Sequence, residues 1–197
     1  MKSLRITLFV AALLLSTVAF AQADEHKHST QSDAPQTDAQ KSFATLKTLA
    51  GTWEGRGTTI PPIPDMPDTM QVSLNVASSG NVLMHEMMGK AKPDKKDADH
   101  PVTMFYLDGD RLLLTHYCDA GNRPRMEGKV SPDGKTVEFS FVDLSGSTKH
   151  GHMDHAVFTI IDANHHTEDW TYLMPGDKPM HAHIDLQRVA QQTASAH

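Results

Sequence analysis

The chain has 197 residues, of which 39% are hydrophobic, 21% charged and 6% aromatic, and this length is typical of one domain or two small ones. Its 18 Lys and Arg residues against 24 Asp and Glu give a formal net charge of −6, which excludes the basic footprint of a nucleic-acid-binding protein. The single cysteine, Cys118, excludes an intramolecular disulfide, so packing and hydrogen bonds must hold the fold. The 13 histidines and 11 methionines are the unusual part of the composition.

Residues 1–23 have the three parts of a secretory signal peptide. Lys2 and Arg5 form the positive start, an apolar centre follows, and small residues offer cleavage after Ala21 or after Ala23. The apolar centre is shorter than the ~18 residues of a membrane-spanning helix, and no cysteine lies beside the cleavage sites to carry a lipid. The sequence therefore predicts a secreted or periplasmic protein that is not a lipoprotein and has no membrane span after processing.

The segment after the leader differs in composition from the rest of the chain. Residues 24–40 contain almost no large apolar side chain, which predicts a disordered linker. Apolar side chains at helical spacing in residues 43–50 predict a short helix that ends at Gly51. The small, polar residues 190–197 predict a flexible tail, so that residues 41–189 form a single domain.

From residue 52 onward, polar and apolar side chains alternate in ten short segments, the pattern of strands with one buried face. Turn sequences separate them, such as Asp108-Gly109-Asp110, in which the glycine supplies the positive φ of a hairpin. Ten hairpin-linked strands leave two open edges, and closing the sheet removes both. The sequence therefore predicts an all-β, antiparallel, up-and-down β-barrel of about ten strands behind a short N-terminal helix. The predicted strands are 52–59, 70–76, 82–88, 102–107, 111–119, 125–130, 136–142, 153–161, 165–173 and 180–188.

The start of the first strand carries a family likeness. Leu49-Ala50-Gly51-Thr52-Trp53-Glu54-Gly55, a short helix followed by Gly-x-Trp, resembles the opening of the calycin barrels, which include lipocalins, fatty-acid-binding proteins and nitrobindin-like proteins. In those families an arginine at the end of the last strand packs across the tryptophan at the closed end of the barrel. The resemblance therefore implies that Trp53 and Arg188 close this barrel.

The middle of the chain carries a second likeness. Leu114-Thr115-His116-Tyr117-Cys118 and Gly121-Asn122-Arg123-Pro124-Arg125-Met126 are similar to a family of exported bacterial proteins of unknown function. That likeness implies no established activity. The proximal histidine of the heme-binding nitrobindins has no clear match in this chain, so the cofactor is unknown, with heme and a copper or zinc ion both left open.

The apolar parity of each strand predicts which side chains face the barrel interior. Leu112 and Leu114 place His116 inward, whereas the parity of segment 180–188 leaves His181 and His183 in water. Polar groups toward one end of an apolar interior predict a small-molecule cavity, and an interior filled by the protein's own side chains is the alternative. The predicted cavity residues are Glu86, His116, Cys118, His166, Glu168, Trp170, Tyr172, Arg123 and Arg125.

Two of these predictions concern chemistry. Arg123 and Arg125 are candidates to clamp a ligand carboxylate, with two solvated loop arginines as the alternative. Cys118 and His116 lie about 7 Å apart along one strand, whereas a nucleophile and its base must approach to ~3 Å. With no Ser/His/Asp signature or phosphate-binding loop either, the sequence favours a binding protein over an enzyme.

Histidine and methionine also cluster in ways that suggest metal binding. Segments such as residues 84–88 mix thioether with imidazole, a combination that favours copper(I), whereas nitrogen ligands favour copper(II) or zinc. Cleavage after Ala23 would make His26 the third residue of a square-planar copper(II) or nickel(II) site, and cleavage after Ala21 would remove that site. The alternative is that these histidines are solvated surface residues. The predicted metal ligands are His26, His150, His152, His155, His181 and His183.

The sequence thus favours an exported barrel that binds a small, largely apolar ligand, with a carboxylate end if the two arginines act as a clamp. A periplasmic metal or heme protein is the alternative. The sequence indicates no protein partner.

Overall fold

The computed structural model describes residues 35–63, 69–89 and 100–190. Within these ranges the chain forms one α-helix and ten strands, and each strand is antiparallel to its neighbours in a closed barrel. The predicted all-β barrel of ten strands behind a short helix is therefore confirmed. The elements are α1 (Asp38–Lys47), β1 (Gly51–Ile60), β2 (Met70–Ala77), β3 (Val82–Gly89), β4 (Val102–Asp108), β5 (Arg111–Tyr117), β6 (Arg123–Val130), β7 (Thr136–Ser145), β8 (His152–Asp162), β9 (His165–Met174) and β10 (Lys178–Arg188).

The helix α1 begins earlier than the sequence boundary at residue 41. The Thr37 side chain accepts a hydrogen bond from the Gln40 N–H at 3.2 Å, while the Gln40 side chain accepts from the Thr37 N–H at 2.9 Å. This reciprocal capping starts the helix at Asp38, so the last residues of the predicted linker are helical. Over the described ranges, no helix combines the length and apolar character needed to cross a bilayer.

Several predicted segments lie outside the described residues. These are the leader, most of the predicted linker and most of the tail: residues 1–23, 24–34 and 191–197.

The end of the barrel beside α1 is closed by Trp53 and Arg188. The two residues are cross-strand partners of β1 and β10, and the guanidinium carbon lies 4.1 Å from the centroid of the fully buried indole. The Trp53 Nε1–H donates to the Leu49 carbonyl at 2.8 Å. The guanidinium donates to three further carbonyls at 2.7 to 3.1 Å, those of Thr48, Ala50 and Ala163. One side-chain pair thus ties the helix end to the first and last strands.

The interior next to this closed end is filled with side chains. Phe105, Phe139 and Phe158 are fully buried, and their ring centroids lie 5.3 to 6.1 Å apart. Gly128 makes room for one of them, because a Cβ at that position would lie 2.4 Å from the Phe139 ring. In this part of the barrel the interior is therefore filled by the protein's own side chains, and a cavity lies in the remaining part.

Candidate functional site

A cavity of about 410 Å³ opens at the end of the barrel where the odd-numbered strands end and the even-numbered strands begin. Its wall is mainly aliphatic and thioether, which suits an apolar occupant, and its polar groups are few. The apolar lining comes from Ile63, Met70, Met87, Pro101, Met153, Met180, Ala182 and Ile184. The polar and aromatic lining comes from Thr59, His85, His116, Cys118, Asp119, Trp170 and Tyr172.

A carboxylate lies in the interior in contact with two of these lining residues. Glu168 on β9 is fully buried, and its two oxygens lie 3.0 and 3.1 Å from Nε2 of His85 on β3. Nε2 of His166 lies 3.1 Å from one oxygen, and Nε1 of Trp170 donates to the other at 3.0 Å. Four side chains from two strands thus form one hydrogen-bonded cluster around Glu168.

The protonation of this cluster follows from the contacts. Burial opposes ionisation of Glu168, but the neighbouring His85 and His166 outweigh it and hold the pKa of the carboxyl below its usual value. An ionised carboxylate only accepts hydrogen bonds, so His85 and His166 both carry a proton on Nε2. Their Nδ1 atoms have no hydrogen-bond partner among the described residues.

His116 is the second imidazole of the cavity, and it lies beside Thr103. Thr103 on β4 is the cross-strand neighbour of His85 on one side and His116 on the other, and its hydroxyl lies 2.8 Å from His116 Nδ1. Burial, followed by the charge of His85, lowers the pKa of His116 to about 4. His116 is therefore uncharged at neutral pH. Because a threonine hydroxyl both donates and accepts, it can hold either neutral tautomer.

The predicted cavity residues of β5 and β9 lie in two positions. His116, Cys118, Trp170 and Tyr172 line the cavity. His166 and Glu168 are fully buried within the cluster around the carboxylate, rather than lining the cavity.

The inward prediction for Glu86 is wrong. Glu86 lies on the outer face of β3, where its carboxylate accepts from Ser73 at 3.3 Å and lies 3.6 Å from His100. Leu83, His85 and Met87 form the inner face instead. Sequence reasoning missed His85 as a cavity residue, although its two-residue spacing from Leu83 and Met87 is the signal that could have identified it.

The predicted clamp by Arg123 and Arg125 is also wrong. Both residues belong to β6, which begins two residues before its predicted start, and the inner face of that strand carries Pro124 and Met126. Arg125 forms a two-pronged salt bridge with Asp143 on the outer surface, and Arg123 donates to the Ser145 hydroxyl. Neither guanidinium lines the cavity.

The predicted metal ligands are not brought together. On the outer surface His155 pairs with Glu138 at 2.9 Å and His183 with Asp169 at 2.7 Å, while His181 contacts the Thr171 hydroxyl at 3.1 Å. Within the described ranges no three His, Cys, Asp or Glu side chains are placed to hold a metal ion. His152 lies 3.8 Å from Asp154, His150 is exposed on a turn, and His26 lies outside the described residues.

Comparison with known proteins identifies a fold but no family. No protein-family model and no curated protein matches the chain. It is similar in structure to Rv2717c of M. tuberculosis, with 16% identity over 76% of this chain and 98% of that chain and a TM-score of 0.57. A DUF3598 protein of unknown function from Nostoc punctiforme matches at 13% identity, over 80% of this chain and 53% of its own length, with a TM-score of 0.38. The first likeness supports the barrel fold alone.

Proposed function

We propose that this protein is an exported binding module for a small, largely apolar molecule. The observation that carries the proposal is the half-filled barrel: aromatic packing fills one end, and an apolar cavity of about 410 Å³ opens at the other. A chain selected only for stability would fill such a space, because an empty volume forfeits packing contacts in proportion to its size. The volume lies in the range of small-molecule sites.

The alternatives receive less support from the described residues. Transition-metal binding by the surface histidines lacks a set of three ligands. Heme would need an axial imidazole, which His116 could offer, and cations for its carboxylates. No Lys or Arg among the described residues lines the cavity. The fit to heme is therefore poor.

Binding of an apolar dye tests the proposal, with a variant that fills the cavity. Ala182 lines the cavity on β10, whereas its neighbour His183 points outward. Ala182→Phe should abolish the fluorescence enhancement of N-phenyl-1-naphthylamine, and His183→Phe should leave it unchanged. Equal dye binding by both variants, or none by the wild type, would contradict a ligand cavity. An absorption spectrum of protein purified from its own host would show a Soret band if heme is bound.

Export is the second part of the proposal, and it rests on the leader composition of residues 1–23. Amino-terminal sequencing of the protein recovered from outside the cytoplasm should give a chain that begins at Gln22 or Asp24. An intact Met1 in that fraction would contradict cleavage. A copper(II) titration of a chain beginning at Asp24 would also show whether His26 completes a four-nitrogen site.

A further inference from the structure

We propose that the cavity selects apolar molecules whose polar group is uncharged, such as an alcohol, a ketone or an ester, and discriminates against the fatty-acid anion of the same chain length. This inference rests on the proposed binding function and specifies its ligand class. It departs from the carboxylate clamp that the sequence suggested, because the two arginines lie outside the barrel.

The first support is the composition of the described cavity lining. Among the described residues that line the cavity, none is a lysine or an arginine. The charged groups that can face a ligand there are Asp119 and, when protonated, His85 and His116. An anion that leaves water for an apolar site must find a charge partner or pay a desolvation cost of several kcal/mol.

The second support is the carboxylate that already lies within the barrel. Glu168 contacts both His85 and Trp170, which line the cavity. Any positive charge on His85 is therefore already opposite Glu168 at 3.0 Å. A ligand carboxylate beside these residues would lie close to the negative charge that Glu168 already carries, and low-dielectric surroundings strengthen the repulsion between the two carboxylates.

The third support is a neutral hydrogen-bonding group in the wall. His116 Nδ1 is occupied by Thr103, which leaves Nε2 as the ring nitrogen that a ligand can use. The lowered pKa of His116 keeps the ring uncharged at neutral pH. Since the Thr103 hydroxyl supports either tautomer, Nε2 can accept from an alcohol or donate to a carbonyl oxygen.

The experiment compares three ligands with the same eight-carbon chain at pH 7.5. 1-Octanol, methyl octanoate and octanoate compete with bound N-phenyl-1-naphthylamine, and dye fluorescence gives each competition constant. We expect the alcohol and the ester to displace the dye at concentrations at least about tenfold lower than octanoate, which is about 1.4 kcal/mol. Octanoate competing as well as 1-octanol would overturn the proposed selectivity and leave the binding function intact. Failure of the dye itself to bind would overturn the binding function.

Two charge variants, one in the buried cluster and one in the cavity wall, test the cause of the selectivity. Glu168→Gln keeps the shape of the side chain and removes its charge, so octanoate should compete at least about threefold better, which is about 0.65 kcal/mol. Because Glu168 is fully buried, this variant could lose stability, and Met180→Lys provides a second test at the half-buried wall. Met180→Lys should shift the preference toward octanoate, whereas His181→Lys, one residue along on the outer face, should not. Equal preferences in these two lysine variants would contradict the electrostatic cause.

A third variant tests the hydrogen bond. His116→Leu should weaken the binding of 1-octanol about fivefold relative to the binding of the dye by the same variant, the effect of one hydrogen bond of about 1 kcal/mol. His181→Leu, on the outer face, serves as the control. An unchanged constant for 1-octanol in His116→Leu would exclude His116 as the group that receives the ligand.

Discussion

His116 makes the stability of the protein depend on pH. The folded state lowers the pKa of this imidazole from 6.5 to about 4, so that the unfolded chain takes up a proton first as the pH falls. The free energy of unfolding is therefore not reduced by this group above about pH 6.5. It falls as the pH drops from about 6.5 to about 4, by about 3 kcal/mol in total.

This contribution is isolated by comparing how the free energy of unfolding depends on pH in two proteins. Chemical unfolding of the wild type and of His116→Leu at pH values from 7.5 to 4.5 should show the wild type losing more free energy of unfolding on acidification. The outer histidines are common to both proteins, so their contributions cancel. Parallel pH profiles would show that His116 titrates in the folded protein as it does in the unfolded chain.

Trp53 is the second residue whose contribution can be predicted. Its indole is fully buried under the Arg188 guanidinium, and its N–H is used by the Leu49 carbonyl. Trp53→Ala should lower the free energy of unfolding by ~3–5 kcal/mol, because a large cavity would form and the cation–π contact would be lost. Tyr117→Ala, at an exposed aromatic residue, should cost far less. An unchanged unfolding midpoint for Trp53→Ala would contradict its role in closing the barrel.

At the scale of elements, strand identity was readable from the sequence, and strand orientation only in part. On β10 the alternation of Met180, Ala182 and Ile184 with the polar residues between them correctly gave the inner face. On β3 both faces carry methionine, so the alternation of apolar residues does not decide between Glu86 and His85 as the inward residue. On β6 the strand begins at Arg123, two residues before its predicted start, so Arg123 is a strand residue and, like Arg125, lies on the outer face.

The close pairing of β1 with β10 requires a residue without a side chain at Gly55. A Cβ at Gly55 would lie 1.7 Å from the Asp185 carbonyl oxygen, a backbone atom that cannot move without displacing the strand. Gly55→Ala should therefore destabilise the protein by more than the roughly 1 kcal/mol that alanine costs at a typical glycine turn position. Gly109→Ala, at a turn with φ of 59° and open space around it, is the control. Thermal unfolding of both variants measures the difference, and equal losses would contradict close packing of the two backbones.

At the scale of the molecule, the candidate site was the least predictable part. His85 and Glu168 are 83 residues apart in sequence and meet only because the closed barrel brings β3 and β9 to face each other across its interior. The alternation of polar and apolar residues within one strand does not show which residues of distant strands will be in contact. The cavity likewise depends on the side-chain volumes of most of the strands together. The sequence could therefore suggest either a hollow or a filled interior, but it could not show that one end of the barrel is filled and the other end is hollow.

The closing contact between Trp53 and Arg188 also sets an order on folding. Neighbouring strands from β1 to β10 pair through short connections, whereas β1 must find β10 from the opposite end of the domain. Closing so long a loop costs more entropy than closing a hairpin, so we expect this pairing to form late, after the transition state for folding. Arg188→Ala should accordingly speed unfolding and leave the refolding rate nearly unchanged in stopped-flow experiments, and a slowed refolding phase would place the contact early. During synthesis, the sheet keeps two unpaired edges until the last strand has left the ribosome, and in that interval the chain is open to binding by chaperones or by other strands.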